Sequence, residues 1–250
     1  MNLCIDQGNS RTKVALMTDK GEMINHFVYK TFSSSDVERL FDLYDITDSI
    51  ISSVVNIEAA VVNTLSRRSH HFVLFDHMTP VPIINKYATP ETLGLDRLAA
   101  AVGANSLCPK ENLLIIDAGS AITYDFVTAE GEYIGGNIAP GLKMRFTILN
   151  RMTKKLPMVE VEEKELIPLF GTNTRDAIAA GVIRGVAYEV KGYMRTLREK
   201  VEHFHTFITG GHAAYVLNNV RSSQSEEREL HFEKNLVLIG LNEILIFNKK

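Results

Sequence analysis

Two segments of the sequence place a carboxylate and a glycine directly after a short apolar run. The first is Asp6-Gln7-Gly8-Asn9-Ser10-Arg11-Thr12-Lys13, and the second is Asp117-Ala118-Gly119-Ser120-Ala121. In each, the glycine permits a tight turn whose successive N–H groups can hold an anion. Asp6 cannot itself attract phosphate, so a carboxylate there makes sense if it holds Mg²⁺ or a water of its shell. The repeated pattern predicts two phosphate-binding loops that clamp the phosphate chain of a nucleotide.

The two segments differ in the groups that they offer. The first has several neutral donors and the positive charge of Lys13. The second has no lysine, although Ser120 matches Asn9 in position and can donate to phosphate, and Asp117 can bind a cation. Taken alone, each segment favours an ordinary hairpin turn, where Asp, Gly, Asn and Ser are common. Their occurrence at equivalent places favours phosphate binding.

A third segment, Gly94-Leu95-Asp96-Arg97, joins two opposite charges at a predicted loop-to-helix junction. Asp96 is a candidate base for a substrate hydroxyl, a role that in phosphoryl transfer mainly orients the nucleophile. Arg97 is a candidate ligand for a carboxylate or for the transferred phosphoryl group. The ordinary alternative is an Asp that caps the helix beside an Arg in a surface ion pair. In isolation the segment favours that alternative.

These segments are positioned by a pattern of strands that occurs twice. Short apolar strands are predicted at 2–5, 13–18 and 23–29, and again at 113–116, 121–127 and 133–138. A pattern that repeats after about half of the chain indicates two similar lobes. We therefore predict an α/β protein of two similar lobes. The predicted lobes are residues 1–111 and 112–250, with the active site between them.

Three further segments constrain this arrangement. Small residues at 98–104 predict a helix that packs deeply. A long helix is predicted over 175–201, with Thr172 or Thr174 as its cap. Two glycines at 210–211 follow a predicted strand and would let a flat base approach the backbone, although such pairs are also common in ordinary turns.

Composition limits the classes of function. The 250 residues are 45% hydrophobic, which is enough for one large domain or two small ones. Lysine and arginine number 27 against 30 aspartates and glutamates, so net charge gives no support for nucleic-acid binding. Two distant cysteines form neither a disulfide framework nor a zinc site, which favours a reducing cytosol. Since no signal segment and no apolar run of membrane-spanning length is visible, we expect a cytoplasmic protein that does not enter a membrane.

Taken in order, these motifs resemble those of the type III pantothenate kinases. That family belongs to the superfamily of acetate and sugar kinases, actin and the heat-shock chaperone ATPases, whose members share a duplicated ribonuclease-H-like lobe. The resemblance covers the whole chain, and each piece is unspecific while the set and its order are specific. Besides the two loops, the matching pieces are Tyr87 with Gly94-Leu95-Asp96-Arg97, Gly135-Gly136-Asn137-Ile138-Ala139-Pro140-Gly141, Gly171-Thr172-Asn173-Thr174 and Thr209-Gly210-Gly211.

The resemblance implies ATP-dependent phosphorylation of the primary hydroxyl of pantothenate, the first step toward coenzyme A. It implies that Asp96 is the proton acceptor, that Asp117 binds a required monovalent cation, potassium or ammonium, and that Mg²⁺ accompanies ATP. The ATP-binding residues that it implies are Asp6, Gln7, Gly8, Asn9, Ser10, Arg11, Thr12, Lys13 and Ser120. The implied pantothenate-binding residues are Tyr87, Gly94, Leu95, Asp96, Arg97 and Thr172.

The family works as a homodimer, with residues of both chains around pantothenate. The small-residue helix at 98–104 is one candidate for the dimer surface. Ser120 stands where the family usually has Thr, and the hydroxyl is kept. Gln7 replaces a usual apolar residue.

Other functions share parts of this pattern. The duplicated clamp also serves sugar and acetate kinases, and some relatives of the family were first regarded as accessory factors of transcription. A regulatory binding module would not depend on Asp96 and Arg97, and both are present. An ATP-dependent switch of the chaperone or actin kind needs extra subdomains for which this chain is too short.

Overall fold

A computed structural model describes residues 1–220 and 229–249 of the chain. In chain order, the strands are β1 (Asn2–Gln7), β2 (Thr12–Met17), β3 (Met23–Tyr29), β4 (Asp48–Ser53), β5 (His71–Leu74), β6 (Ile84–Asn85), β7 (Leu113–Ala118), β8 (Ala121–Val127), β9 (Glu132–Pro140), β10 (His205–Thr209) and β11 (Leu230–Phe232). The α-helices are α1 (Ser34–Leu43), α2 (Ala59–Arg68), α3 (Leu95–Leu107), α4 (Leu142–Met152), α5 (Thr174–Arg198), α6 (Ala213–Val220) and α7 (Leu236–Asn248).

The chain forms two compact units. The first contains Met1–Lys110, Glu130–Ile134 and Asn235–Lys250, and the second contains Glu111–Ala129 and Gly135–Lys234. These units follow the packing of the chain, and α7 belongs to the first because it packs on α3 and on β1. The sequence division at residue 111 stays a prediction of where the duplicated lobes meet along the chain.

The sheet of the first unit has the order β3-β2-β1-β4-β5. β1 and β2 are antiparallel, whereas β1, β4 and β5 run parallel. Because side chains alternate along a strand, one face of this sheet carries apolar residues that pack on α1 and α2. That core includes Leu3, Ile5, Val14, Leu16 and Ile51.

The opposite face of the same sheet is covered by α7, which in turn packs on α3. A Cβ at Gly103 would lie 2.3 Å from the Leu236 carbonyl oxygen, and one at Gly240 would lie 1.8 Å from that of Ala99. The two helices therefore approach as closely as backbones can, and only glycine fits at these crossings. Residues 98–104 are buried in this contact. The deep packing predicted for them is thus confirmed, but a helix buried within the chain cannot supply a dimer surface.

The second unit repeats the arrangement of the first. Its sheet runs β11-β10-β7-β8-β9, with β7 and β8 antiparallel and β7, β10 and β11 parallel. β9 starts in the first unit, where Glu132 and Tyr133 pair with β6. The core of the second unit lies between β7 and β8 on one side and α4, α5 and α6 on the other. Each unit therefore has a β-hairpin, a third strand beside it, and two further strands that run parallel to the first strand of the hairpin. This is the arrangement that two similar α/β lobes require.

No helix within residues 1–220 or 229–249 is both long and apolar enough to span a bilayer.

Candidate active site

The first predicted phosphate loop is the turn between β1 and β2. The strands pair Asp6 with Lys13, and the Gly8 N–H donates to the Arg11 carbonyl across 3.1 Å. A Cβ at Gly8 would lie 3.3 Å from that same oxygen, so a larger residue would fit only tightly. The residues at the tip, 9–11, are exposed. Their donors are therefore accessible to a ligand, while the two charged groups lie at the base of the turn.

Asp6 lies in a setting that disfavours its negative charge. Burial raises the pKa of its carboxyl to about 6, with Lys13 lowering it and the nearby charge of Asp96 raising it further. A cation would offset both the burial and the repulsion between the carboxylates, so the pair fits a bound divalent ion. The first unit thus brings together Asp6, Lys13 and Asp96, which belong to separate segments of the sequence.

Asp96 lies in the first turn of α3. Its Oδ1 accepts a hydrogen bond from the Arg97 N–H across 2.9 Å. A Cβ at Gly94 would lie 2.6 Å from that oxygen, so glycine leaves the space that the carboxyl occupies. The N-cap of α3 is Gly94, without a side-chain cap bond. The alternative in which Asp96 serves as the helix cap is therefore wrong.

Arg97 is buried, with only 6% of its surface exposed. Its guanidinium lies over the ring of Tyr87, 5.8 Å from the ring centre. The rings of Tyr87 and Tyr133 have centres 6.2 Å apart. Burial excludes the alternative of a surface ion pair, and a buried guanidinium on an aromatic face suits recognition of an anionic group. The motifs gave no sign of Tyr133, because its strand lies far from Tyr87 in sequence.

The second loop follows β7 and is fixed by the turn after β10. Gly210 has φ +95°, and a Cβ there would lie 2.3 Å from Asp117 Oδ1. The His212 N–H donates to the Ala118 carbonyl across 2.9 Å, and His212 Nδ1 lies 3.3 Å from the Gly119 oxygen. Gly210 and His212 therefore hold the Asp117 loop in place, and the approach of a flat base to the glycine pair stays a prediction.

A second contact braces the same loop from the start of α4. A Cβ at Gly141 would lie 2.2 Å from the Ser120 carbonyl oxygen, so only glycine allows this approach. α4 is held in turn by Arg145, whose NH1 and NH2 each lie 2.7 Å from the Glu189 carboxylate, and whose Nε donates to the Pro140 carbonyl. Ser120 itself is exposed. Its hydroxyl is therefore accessible on a backbone that cannot easily move.

Thr172 is exposed and lies directly before the cap of α5. The N-cap is Asn173, whose side chain accepts from the Asp176 N–H across 3.0 Å. The prediction that Thr172 or Thr174 caps this helix is wrong. Asn and Thr are both good caps, so propensity alone could not choose between neighbours.

A pocket of about 290 Å³ lies beside the second loop. Its apolar wall comes from α4, α5 and the segment before α5, and its polar rim includes His212 and Tyr215. The lining residues are Leu142, Lys143, Phe146, Met158, Val159, Glu160, Val161, Ile183, His212 and Tyr215. No motif predicted this pocket, because its walls are assembled from four separate parts of the chain.

Comparisons with known proteins identify the family of the chain. A family model described as type III pantothenate kinase matches residues 2–196. A type III pantothenate kinase of Phocaeicola vulgatus is 42% identical over 250 residues and covers 100% of both chains. One from a Bacteroides fragilis strain is 40% identical over 249 residues, 99% of this chain and 98% of the relative.

Solved structures show the same fold at lower identity. A Campylobacter jejuni protein described as a Baf family transcriptional activator superposes with a TM-score of 0.62 at 21% identity, over 99% of this chain and 98% of its own. The activator of 2-hydroxyisocaproyl-CoA dehydratase from Clostridium difficile, solved with ADPNP, gives 0.54 at 11% identity, over 98% and 93%. The predicted fold class is therefore confirmed.

Proposed function

The chain belongs to the type III pantothenate kinase family, and we propose that it transfers the γ-phosphoryl group of ATP to the primary hydroxyl of pantothenate. The product, 4'-phosphopantothenate, is the first intermediate on the way to coenzyme A. The observation that carries this proposal is a group of side chains in the first unit. The Asp96 carboxyl lies near Asp6, and the next residue is the buried Arg97, whose guanidinium lies over the Tyr87 ring. This group offers a base, a cation-binding partner and an anion-binding guanidinium together, which phosphorylation of a small hydroxylated carboxylate requires.

On the acceptor side, Asp96 orients the substrate hydroxyl and takes its proton. Arg97 pairs with the pantothenate carboxylate, because a guanidinium and a carboxylate form a strong and directional pair away from water. Tyr87 holds the guanidinium from its ring face. The remaining substrate contacts come from Gly94, Leu95 and Thr172.

On the donor side, the phosphates bind the first loop and Ser120. The contributing residues of the first loop are Asp6, Gln7, Gly8, Asn9, Ser10, Arg11, Thr12 and Lys13. Asp6 would hold Mg²⁺, which when bound neutralises the phosphate oxygens during transfer. Lys13 adds a fixed positive charge, and Asp117 would hold the monovalent cation.

The pocket beside the second loop is proposed as the site of the adenine. Tyr215 and His212 supply flat faces for a base, and Leu142 and Phe146 supply an apolar floor. Gly210 and Gly211, directly before His212 in the chain, carry no side chain that could block a base. Since the polar rim is small, recognition of the base is expected to be modest.

We infer a cytoplasmic homodimer, as in the family. The exposed apolar stripe Met144, Ile148 and Met152 on α4 is a better candidate surface than the buried α3. Its members are four residues apart and therefore lie on one helix face. Ile148→Arg should convert the dimer to a monomer in light scattering at equal concentration, whereas a dimer that survives this change excludes the α4 stripe.

The deciding experiment measures phosphopantothenate formation with ATP and Mg²⁺, with and without potassium, beside a panel of sugars and acetate. We expect pantothenate to be the preferred acceptor and potassium to raise the rate. Asp117→Asn should flatten the potassium titration. Preferential phosphorylation of a sugar or of acetate would remove the proposed substrate, and an unchanged titration in the variant would remove the assigned role of Asp117.

A further inference from the structure

Ser52 is a buried serine near the end of β4. It is 1% exposed, and its hydroxyl has no hydrogen-bond partner among residues 1–220 and 229–249. A buried hydroxyl without a partner has lost its hydrogen bonds to water without replacement, a cost that an alanine of nearly the same size would avoid. The serine is therefore best explained by a group that accepts its hydrogen bond in another state of the protein.

The sheet register identifies that group. β1 and β4 are parallel and pair Asp6 directly with Ser52, and on the other side β1 pairs Asp6 with Lys13. Neighbouring strands lie about 4.8 Å apart, and paired residues point to the same face. Asp6 thus has a cation beside it on one strand and a hydroxyl beside it on the other.

The alternation of side chains also shows on which face of the sheet Asp6 and Ser52 lie. Ile5 and Ile51 point into the core with α1 and α2. On the opposite face, Asn2 Nδ2 donates to Asn242 Oδ1 of α7 across 2.8 Å. Because side chains alternate, Asp6 and Ser52 share the face of Asn2.

The second unit contains the same pairing. Its loop carboxylate, Asp117, is paired in parallel register with Thr209 on β10, and Thr209 is 2% exposed. A buried hydroxyl thus lies beside the loop carboxylate in both lobes. The Thr209 hydroxyl donates to the Lys234 carbonyl across 3.5 Å, whereas the Ser52 hydroxyl has no acceptor among the described residues.

We propose that Ser52 is a positioning residue whose hydroxyl donates to the ionised Asp6 carboxylate and orients it toward Mg²⁺·ATP. This rests on the proposed function insofar as ATP is the bound nucleotide. One carboxylate oxygen is held by the serine, which leaves the other directed at the ligand. Lys13 stays available for phosphate instead of having to hold Asp6.

The test compares Ser52→Ala with Ser49→Ala by calorimetric titration of the full chain with ATP, once with Mg²⁺ and once with EDTA. Ser49 is an equally buried serine on the same strand, but it lies on the opposite face and bonds Ser69 Oγ at 2.6 Å. A hydrogen bond to a charged group is worth about 1.5–3 kcal/mol, so Ser52→Ala should weaken Mg²⁺·ATP binding about tenfold to a hundredfold. Binding of metal-free ATP should change less than about threefold, and Ser49→Ala should alter neither.

Ser52→Cys keeps the shape of the side chain with a somewhat larger sulfur atom and a much weaker donor, and it replaces the alanine variant if that variant does not fold. It should show the same selective loss of Mg²⁺·ATP affinity. Unchanged binding, or equal weakening with and without Mg²⁺, would overturn the proposal. Since no acceptor takes part in the titration, the result stands apart from whether pantothenate or another hydroxyl is phosphorylated.

Discussion

The turn after Asp6 and the turn after Asp117 come from the same strand arrangement, yet they differ in charge and in support. The first is an exposed hairpin tip with Lys13 at its base, and the charge of Asp96 raises the pKa of its Asp6 carboxyl. The second has no lysine, but Gly141 and Gly210 pack so closely around it that neither could carry a side chain. One loop supplies charge, and the other supplies a fixed frame.

This difference has a physical reason. A charged side chain acts over several ångströms and tolerates some motion of the loop that carries it. A neutral donor contributes only within hydrogen-bond distance, so its backbone must be held in place before the ligand arrives. The comparison therefore predicts that the first loop is sensitive to changes of charge and the second to changes of shape.

The largest effect is expected outside both loops. Asp96→Asn should lower kcat about 10²- to 10⁴-fold, because it removes the proposed base while leaving the two loops intact. ATP binding, measured by calorimetry, should stay close to that of the unaltered protein. Glu91→Gln, which changes an exposed carboxyl in the short turn before α3, is the control and should leave kcat unchanged. Near-normal turnover of the Asp96 variant would assign the base elsewhere.

Asp6→Asn should weaken binding of Mg²⁺·ATP and, at neutral pH, raise the free energy of unfolding. The folded-state pKa of about 6 lies above the ordinary value of 3.8 for this carboxyl, so folded Asp6 binds a proton more tightly than the unfolded chain does. Its contribution to stability is therefore present below pH 4 and is lost as the pH rises through about 6. At pH 7.5 the variant should gain about 3 kcal/mol of unfolding free energy at most, because a shift of one unit corresponds to about 1.4 kcal/mol.

The measurement is urea unfolding at pH 4 and pH 7.5, with Mg²⁺·ATP binding measured in parallel. The exposed Asp45→Asn is the control and should show no such gain. A variant that binds Mg²⁺·ATP as well as the unaltered protein, or that is no more stable at pH 7.5, would contradict the assigned environment of Asp6.

The sequence predicted those parts of this comparison that depend on local chemistry. The Asp-x-Gly turns, their strands and the α/β repeat follow from residues that are near each other in the chain. The sequence also predicted the charge difference between the loops, since Lys13 has no counterpart after Asp117.

The support of the second loop was not predictable, because it depends on contacts between distant segments. Gly141 was visible as part of a glycine-rich stretch, but only the packed structure shows its approach to Ser120. The small residues of α3 predicted close packing, yet could not say whether a helix of the same chain or a second chain would fill the groove. α7 fills it, through Gly240.

Gly141→Ala tests the shape of the second loop. The added Cβ would lie 2.2 Å from the Ser120 oxygen, so the loop or α4 must shift. Overpacking of this kind costs about 1–3 kcal/mol, and we expect KM for ATP to rise about tenfold to a hundredfold. Gly181→Ala in α5 is the matched control, because a Cβ there meets no atom within 4 Å. The control should stabilise the protein by about 0.5–1 kcal/mol through helix propensity and leave KM unchanged.

The smallest effect is expected from the side chain of Ser120. Ser120→Ala removes one neutral donor, worth about 0.5–1.5 kcal/mol, and should raise KM for ATP about twofold to tenfold. Ser120→Thr keeps the hydroxyl and should stay within about twofold of the unaltered protein in the same steady-state assay. If Ser120→Ala raised KM for ATP as much as Gly141→Ala, the hydroxyl would matter as much as the backbone position that Gly141 allows. If instead Lys13→Met raised KM for ATP less than Ser120→Ala did, the charge of the first loop would matter less than a single neutral donor of the second. The proposed difference between the loops would then be wrong.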